Sequence, residues 1–233
     1  MVDAGPVAPP ERGGWEAASC LSGRRQGGGE STMSDERDFY RAIRAEPFGG
    51  RLTDGQVRGI AAIRGEWMKT APDGDPRHLA YMLATAFHET ARTMRPVRET
   101  LASTDDRAIA ILDRTYAAGR LPQVARPYWR RDGKGRTFLG RGFVQITHRR
   151  NYRRLSDALG IDLVSDPARA MEMEVAASVL VAGMMRGLFT GVSLADVFSG
   201  SREDWTGARR IVNGLDRAEL VAGYGRAFLK ALG

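Results

Sequence analysis

The stretch that begins at Pro76 constrains this chain more than any other. Leu79, Tyr81, Met82, Leu83, Ala84, Ala86 and Phe87 crowd into one segment running to about 92. A helix that is apolar nearly all round has no solvent face, so it belongs in the middle of a domain with other elements packed about it. The start of this helix is written into the loop before it, Pro72-Asp73-Gly74-Asp75-Pro76. Asp75 can accept from the first free backbone N–H groups, and Pro76 suits the first helical position. Near the far end stands Glu89. Leu79, Met82, Ala86 and Glu89 are spaced three, four and three, so the carboxylate continues an apolar stripe.

Other elements must wrap that helix, and the sequence supplies them as helices joined by short turns. Phe39, Tyr40 and Ile43 mark a first short helix, opened by Ser34 as cap with Asp35 and Glu36 behind it. Thr53-Asp54-Gly55-Gln56 has capping-box spacing, and Val57, Ile60, Ile63 and Trp67 then recur at threes and fours. Ser103 is expected to cap a helix through Ile109, Ile111 and Leu112 that ends near Gly119. Residues 126–142, rich in Arg, Gly and aromatics, read as loop. Phe143-Val144-Gln145-Ile146-Thr147 alternates and reads as a short strand. A helix over about 148–159 stops at Gly160, and another spans Met171 to Met185. The last runs through Leu220, Tyr224 and Phe228, after an Asn213-Gly214 turn. The expected class is mainly α: a lysozyme-like α+β domain with a small β-hairpin insertion beside the active site.

Residues 1–32 differ from this pattern. They hold seven glycines, among them Gly27-Gly28-Gly29, and show little apolar periodicity. Such a composition cannot bury enough surface to offset its ordering entropy, so a disordered tail is expected. An upstream mis-called start, with translation beginning at Met33, is the other reading. Residues 33–233 form a single expected domain. No apolar h-region of about 7–15 residues follows a basic start, so no signal peptide is expected. The longest apolar run, Val175 to Met185, is broken by Ser178 and Gly183 and falls short of the roughly 20 residues a spanning helix needs. Membrane insertion is not expected.

Of 233 residues, Lys and Arg make 35 and Asp and Glu 28, a formal net charge of +7. Only Lys69, Lys134 and Lys230 are lysines. Arginine codon preference accounts for the bias, and so does attraction to an anionic partner: nucleic acid, a membrane surface or a bacterial wall. No helix carries a one-sided Arg stripe with base-reading polar residues, which argues against nucleic acid. Cys20 is the one cysteine and His78, His88 and His148 the only histidines. An internal disulfide and a cysteine-based zinc site are excluded, and neither a metal nor a cofactor is expected.

Chemistry concentrates at three places. Glu89 is one, since a carboxylate on an apolar stripe is rare unless paired. Desolvation would favour its protonated form and suit a general acid; an internal ion pair with an Arg is the alternative. Glu99 is the second. Pro96 should end the helix before it, leaving Glu99 able to sit across from Glu89. Paired carboxylates suit glycoside hydrolysis, although Glu99 also reads as a solvated loop residue, and Asp105 and Asp106 compete for its role. The third is Gly140-Arg141-Gly142-Phe143-Val144-Gln145-Ile146-Thr147, where Phe143, Gln145 and Thr147 would share one strand face as a ledge for a sugar or a positioned water.

These blocks resemble glycoside hydrolase family 19, which includes plant-type chitinases and lysozyme-like phage endolysins. Ala84-Thr85-Ala86-Phe87-His88-Glu89-Thr90 matches the family's His-Glu-Thr signature. Gly140 to Thr147, continued by His148-Arg149-Arg150-Asn151-Tyr152, matches its Gly-Arg-Gly-x-x-Gln signature with the trailing Asn-Tyr. Ile211-Val212-Asn213-Gly214 looks like its late Asn-Gly turn. The resemblance spans roughly residues 53–230. It implies Glu89 as general acid, Glu99 as base and Thr147 as holder of the attacking water. It puts Gln145, Asn151, Tyr152 and Asn213 on substrate positions, with His88, Thr90 and Arg141 supporting the acid. The family inverts, which requires about 6.5–9.5 Å between the carboxyls. Plant members place the base further along, in a cysteine-bearing loop; a base only ten residues on, without cysteines, resembles the shorter phage and bacterial branch.

The resemblance implies a polysaccharide substrate with β-1,4-linked N-acetylglucosamine, and the basic, short-looped chain favours peptidoglycan over chitin. A monomer is expected, held in the cytoplasm until release and then acting on the cell wall. A chitinase is the nearest alternative. An inactive wall- or glycan-binding protein is the alternative of another class.

Overall fold

The computed structural model describes residues 29–233, with side chains from Asp35 onward. Of the expected tail over residues 1–32, residues 1–28 lie outside the described residues and residues 29–32 belong to the first helix. The protein is mainly helical, with two small two-stranded antiparallel sheets.

Helix α1 (Gly29–Ala45) runs through Ser34 rather than starting there, so Ser34 is not its cap. No proline between Gly29 and Ser34 stops the helix from propagating upstream. Helix α2 (Asp54–Thr70) begins with the expected capping box: Thr53 accepts from Gln56 N, and Gln56 Oε1 accepts from Thr53 N. Helix α3 (Pro76–Glu89) has Asp75 as cap and Pro76 at its first position. Every residue from His78 to Phe87 is buried, so it is the central element that its composition demands. It ends at Glu89 rather than near 92. Ala91 and Arg92 take left-handed φ of 50° and 69°, which no helix can continue.

Beyond the helix lies β1 (Val97–Arg98), followed by one 3-10 turn, Glu99–Leu101. Helix α4 (Asp105–Ala117) is capped by Thr104, whose hydroxyl accepts from Arg107 N, and not by Ser103. The Ser103 carbonyl is engaged by Arg98 instead. Strand β2 (Arg141–Gly142) pairs antiparallel with β1, Val97 opposite Gly142 and Arg98 opposite Arg141. The expected strand over Phe143–Thr147 does not form. The chain turns at Phe143–Gln145 after Gly142, whose φ is 106°, and returns so that Ile146 bridges Arg141. Phe143, Val144, Ile146 and Thr147 are all buried, so no alternating face exists. The small sheet is therefore not a local hairpin insertion. It joins segments more than forty residues apart, and that pairing brings Glu99 beside Gly140.

Helix α5 (Arg149–Leu159) ends at Gly160 as expected. Asp166 and Pro167 start a 3-10 turn that leads into α6 (Met173–Met185). A short α7 (Leu194–Val197) precedes a tight hairpin of β3 (Phe198–Ser199) and β4 (Arg202–Glu203). A 3-10 segment, Gly207–Ile211, leads to α8 (Ala218–Leu232).

Helix α3 packs most extensively on α8, and also on α2 and α6; α2 lies along α6, and α1 along α8. Phe87, Phe48, Tyr224 and Phe228 meet edge to face at this centre. A second, smaller core holds Ala108, Leu112, Val124, Trp129 and Leu139 under α4. The two cores meet at β2, where Leu139 belongs to the small one and Phe138 and Phe143 to the large. Among the described residues no helix is long and apolar enough to cross a membrane.

Candidate active site

Glu89 closes α3 where the buried helix reaches the surface, its side chain 16% exposed. Its Oε1 accepts from Arg209 Nη1 at 2.6 Å, and Arg209 is 3% exposed. The internal ion pair left open for Glu89 is thus present. Oε2 has no hydrogen-bond partner among the described residues. Arg209 is fixed in turn by Nε donating to the Asp216 carbonyl. Arg209 and Asn213 sit on one segment: Asn213 N donates to the Arg209 carbonyl, and Asn213 Oδ1 accepts from Gly214 N. His88 belongs to the same group. Burial holds its imidazole below the usual range, against the upward pull of the Glu89 carboxylate.

Glu99 lies ten residues further on, beside the small sheet. Its backbone N–H donates to the Gly140 carbonyl at 2.7 Å, extending the β1–β2 ladder. Its carboxylate is held by two neutral donors, Tyr128 Oη on Oε1 at 2.5 Å and Gly140 N on Oε2 at 2.8 Å. Burial, and then the Glu99 carboxylate itself, push the Tyr128 hydroxyl upward, so it stays protonated and donates. Each Glu99 oxygen keeps a second lone pair for another partner.

Gln145 adjoins this group. A Cβ on Gly140 would stand 2.5 Å from Gln145 Oε1, so Gly140 lets the amide close on the backbone that holds Glu99. Gln145 Nε2 donates to the Val97 carbonyl, whereas Gln145 Oε1 and Thr147 Oγ are buried with no partner. Both residues line a cavity of about 20 Å³, enough for one water. Asn151 Nδ2 donates to the Thr147 carbonyl and fixes that corner.

Three expected site residues are interior framework. Thr90 is fully buried: its hydroxyl donates to the Ala86 carbonyl and accepts from Met94 N, capping α3. Arg141 is 1% exposed and pairs with Asp105 at 2.6 Å, not with Glu89. Tyr152 is buried, its hydroxyl donating to the Leu139 carbonyl and accepting from Arg141. Burial pushes Tyr152 up to about 12. Tyr152, expected at a substrate position, and Thr90 and Arg141, expected to support the acid, are thus all buried side chains, and Arg141 lies against Asp105 rather than Glu89. The rivals for the base separate as well. Both Asp105 oxygens are taken by guanidinium groups, Arg98 on Oδ1 and Arg141 on Oδ2. Asp106 lies on the surface, 83% exposed, beside Arg131.

On both sides of β1, from just past Glu89 to just past Glu99, the backbone is strained. Of seven non-glycine residues with positive φ among the described residues, five fall in 91–101: Ala91, Arg92, Met94, Thr100 and Leu101. Such conformations persist only where the surroundings over-determine them, and they cluster at functional sites.

Sequence reasoning missed Arg209, Tyr128 and the Gly140 N–H. Arg209 and Arg210 are adjacent and identical in type; only the 3-10 segment decides that 209 turns inward and 210 outward. Tyr128 sits in a stretch read as loop, and a backbone donor leaves no mark in side-chain patterns.

No protein-family model matches the chain, and no curated protein matches it either.

Proposed function

We propose that this protein is a glycoside hydrolase of the family 19, lysozyme-like type. It cuts β-1,4 bonds in an N-acetylglucosamine-containing wall polymer, peptidoglycan ahead of chitin, with inversion. One observation carries the reading: two partly buried carboxylates end the two arms of one strained link, each fixed by its own donors and each with acceptor capacity left over. In this reading Glu89 in its carboxylic acid form still accepts from Arg209 through Oε1, and its Oε2–H gives the proton to the leaving glycosidic oxygen. Glu99, oriented by Tyr128 and Gly140, takes a proton from the attacking water. The unpartnered oxygens of Thr147 and Gln145 supply that water with ligands. His88 and Asn213 line the acid side, and Asn151 sets the Thr147 corner. Asp105 is a poor base because two guanidinium groups occupy it.

The test offers the purified protein peptidoglycan and chitin oligomers and follows products by reducing-end analysis and by the anomer first formed. New muramic acid reducing ends, released as the α-anomer, are expected. Glu89→Gln and Glu99→Gln should each lower the rate by about 10²–10⁴-fold. Loss with Asp105→Asn or Asp106→Asn in a folded chain, and not with Glu99→Gln, would reassign the base. No product from either polymer would favour a glycan-binding protein without catalysis.

A further inference from the structure

Leu101 is the most exposed large apolar side chain among the described residues, at 60%, and it belongs to neither core. Its backbone is held at a cost. Thr100 and Leu101 stand side by side at φ 62° and 57°, where leucine is disfavoured and glycine or asparagine is at ease. Packing inside the protein gives no reason for a leucine there. The two residues follow Glu99 directly, in the turn that carries the candidate base.

Leu101 walls an open groove of about 280 Å³ that runs along the link, with Pro96, Val97 and Met171 as further apolar walls. Two guanidinium groups stand at this groove, and no Asp or Glu lines it. The two differ in their commitments. Arg98 is engaged: its Nε donates to Asp105 Oδ1 and its Nη1 to the Ser103 carbonyl. Arg95 is exposed and has no hydrogen-bond or ion-pair partner among the described residues. Its stem lies against α2, where a Cβ on Gly55 would stand 3.2 Å from Arg95 Cδ. The one hydroxyl at the groove, that of Thr93, already donates to the Thr90 carbonyl.

A sugar needs partners for many hydroxyl groups, and this groove offers few. A short acylated peptide needs apolar contact for its methyl and methylene groups and a cation for its carboxylate. A guanidinium without a carboxylate nearby supplies the second through two parallel hydrogen bonds. The volume lies at the small end of ligand pockets, the size of a dipeptide rather than of a sugar chain. We infer that the groove takes the short peptide carried by the glycan, its apolar groups on Leu101 and its carboxylate on Arg95. Chitin carries no such peptide. Muramic acid does, through an amide at its lactyl carboxyl. The inference rests on the glycan-hydrolase reading and narrows its substrate to peptide-bearing strands.

The test measures binding to the full chain carrying Glu89→Gln, which stops turnover, and hydrolysis by the unaltered protein. Three probes share the disaccharide N-acetylglucosaminyl-N-acetylmuramic acid. One carries L-alanyl-D-glutamate on the lactyl group, one the same dipeptide with its carboxylates amidated, and one only a methylamide. The acid should bind about tenfold tighter than the amidated dipeptide at low salt, the effect of one charge-assisted pairing. The amidated dipeptide should bind about fourfold tighter than the methylamide, the effect of one buried methyl group. Arg95→Gln should abolish the first difference and keep the second. Leu101→Asn should abolish the second without lowering the melting temperature, because asparagine accepts the left-handed backbone. An acid preference that survives Arg95→Gln places the carboxylate elsewhere and overturns the inference. Equal binding of the three probes, with the disaccharide still bound or cut, also overturns it and leaves the hydrolase reading standing. Failure of every glycan to bind or be cut overturns both.

Discussion

At the level of single residues, Glu89 and Arg209 set a condition on how the acid can be tested. Arg209 is 3% exposed, so removing its partner strands a buried charge. Glu89→Ala should cost about 3–5 kcal/mol. Glu89→Gln keeps an oxygen for Arg209 Nη1 and should cost about 1–3 kcal/mol. Urea midpoints of the two variants and the unaltered chain check this, and midpoints matching the unaltered chain's would show that the pair contributes nothing. The Asp105 carboxylate gives a pH signature. Burial would raise it, but hydrogen bonds from Arg141 and Arg98 outweigh burial and hold it below its usual range. The folded chain therefore releases that proton more readily than the unfolded one. The stabilisation is complete above the unfolded value, near 3.9, and is lost as pH falls through the lower folded value. Thermal unfolding against pH should show a steep acid limb below about pH 4. Asp105→Asn should lower stability at neutral pH and flatten that limb; an unchanged limb would remove Asp105 from the account.

The next scale is the fit of α2 against the link from Glu89 to Glu99. A Cβ on Gly59 would stand 1.7 Å from the Met94 carbonyl oxygen, in the middle of the strained segment. Gly59→Ala must push that segment away. A loss of about 1–3 kcal/mol is expected, with a fall in activity larger than the stability change explains. Gly65, in the same helix, has open space at its Cβ, and Gly65→Ala should gain about 0.4–1 kcal/mol. Melting temperatures and initial rates of the two variants test the contrast. If Gly59→Ala retains full activity, the link does not hold the site. The same elements show what the sequence makes legible. The capping box at Thr53, the Asp75-Pro76 start and the Gly160 stop are local chemistry, so they were readable. The Phe143–Thr147 strand was misread because alternation has meaning only when one face meets water, and here both are buried. Sheets of two residues per strand offer no period to detect, which hid the β1–β2 pairing. Glu89 and Glu99 stood out as residue types; Arg209 did not, among 32 arginines.

For the molecule as a whole, the net charge becomes informative once it is divided. The first 32 residues contribute −1, so the remainder carries +8, above the +7 of the full chain. Part of that charge is committed internally: Arg98, Arg141 and Arg209 serve ion pairs that hold the two cores and the acid. Other arginines stand on the surface, Arg126 among them. Exposed charge attracts an anionic polymer over a distance set by ionic strength, about 10 Å at 0.1 M salt and shorter above it. A wall polymer with carboxylates should therefore be held strongly at low salt and released as salt rises, whereas neutral chitin should not respond. Co-sedimentation of the Glu89→Gln chain with purified sacculi and with chitin particles, from about 20 mM to about 300 mM salt, measures both. Retention on sacculi should fall by about tenfold and retention on chitin by less than about twofold. Equal salt responses on the two polymers would mean that the basic charge does not select the substrate, and the preference for peptidoglycan would lose its physical basis.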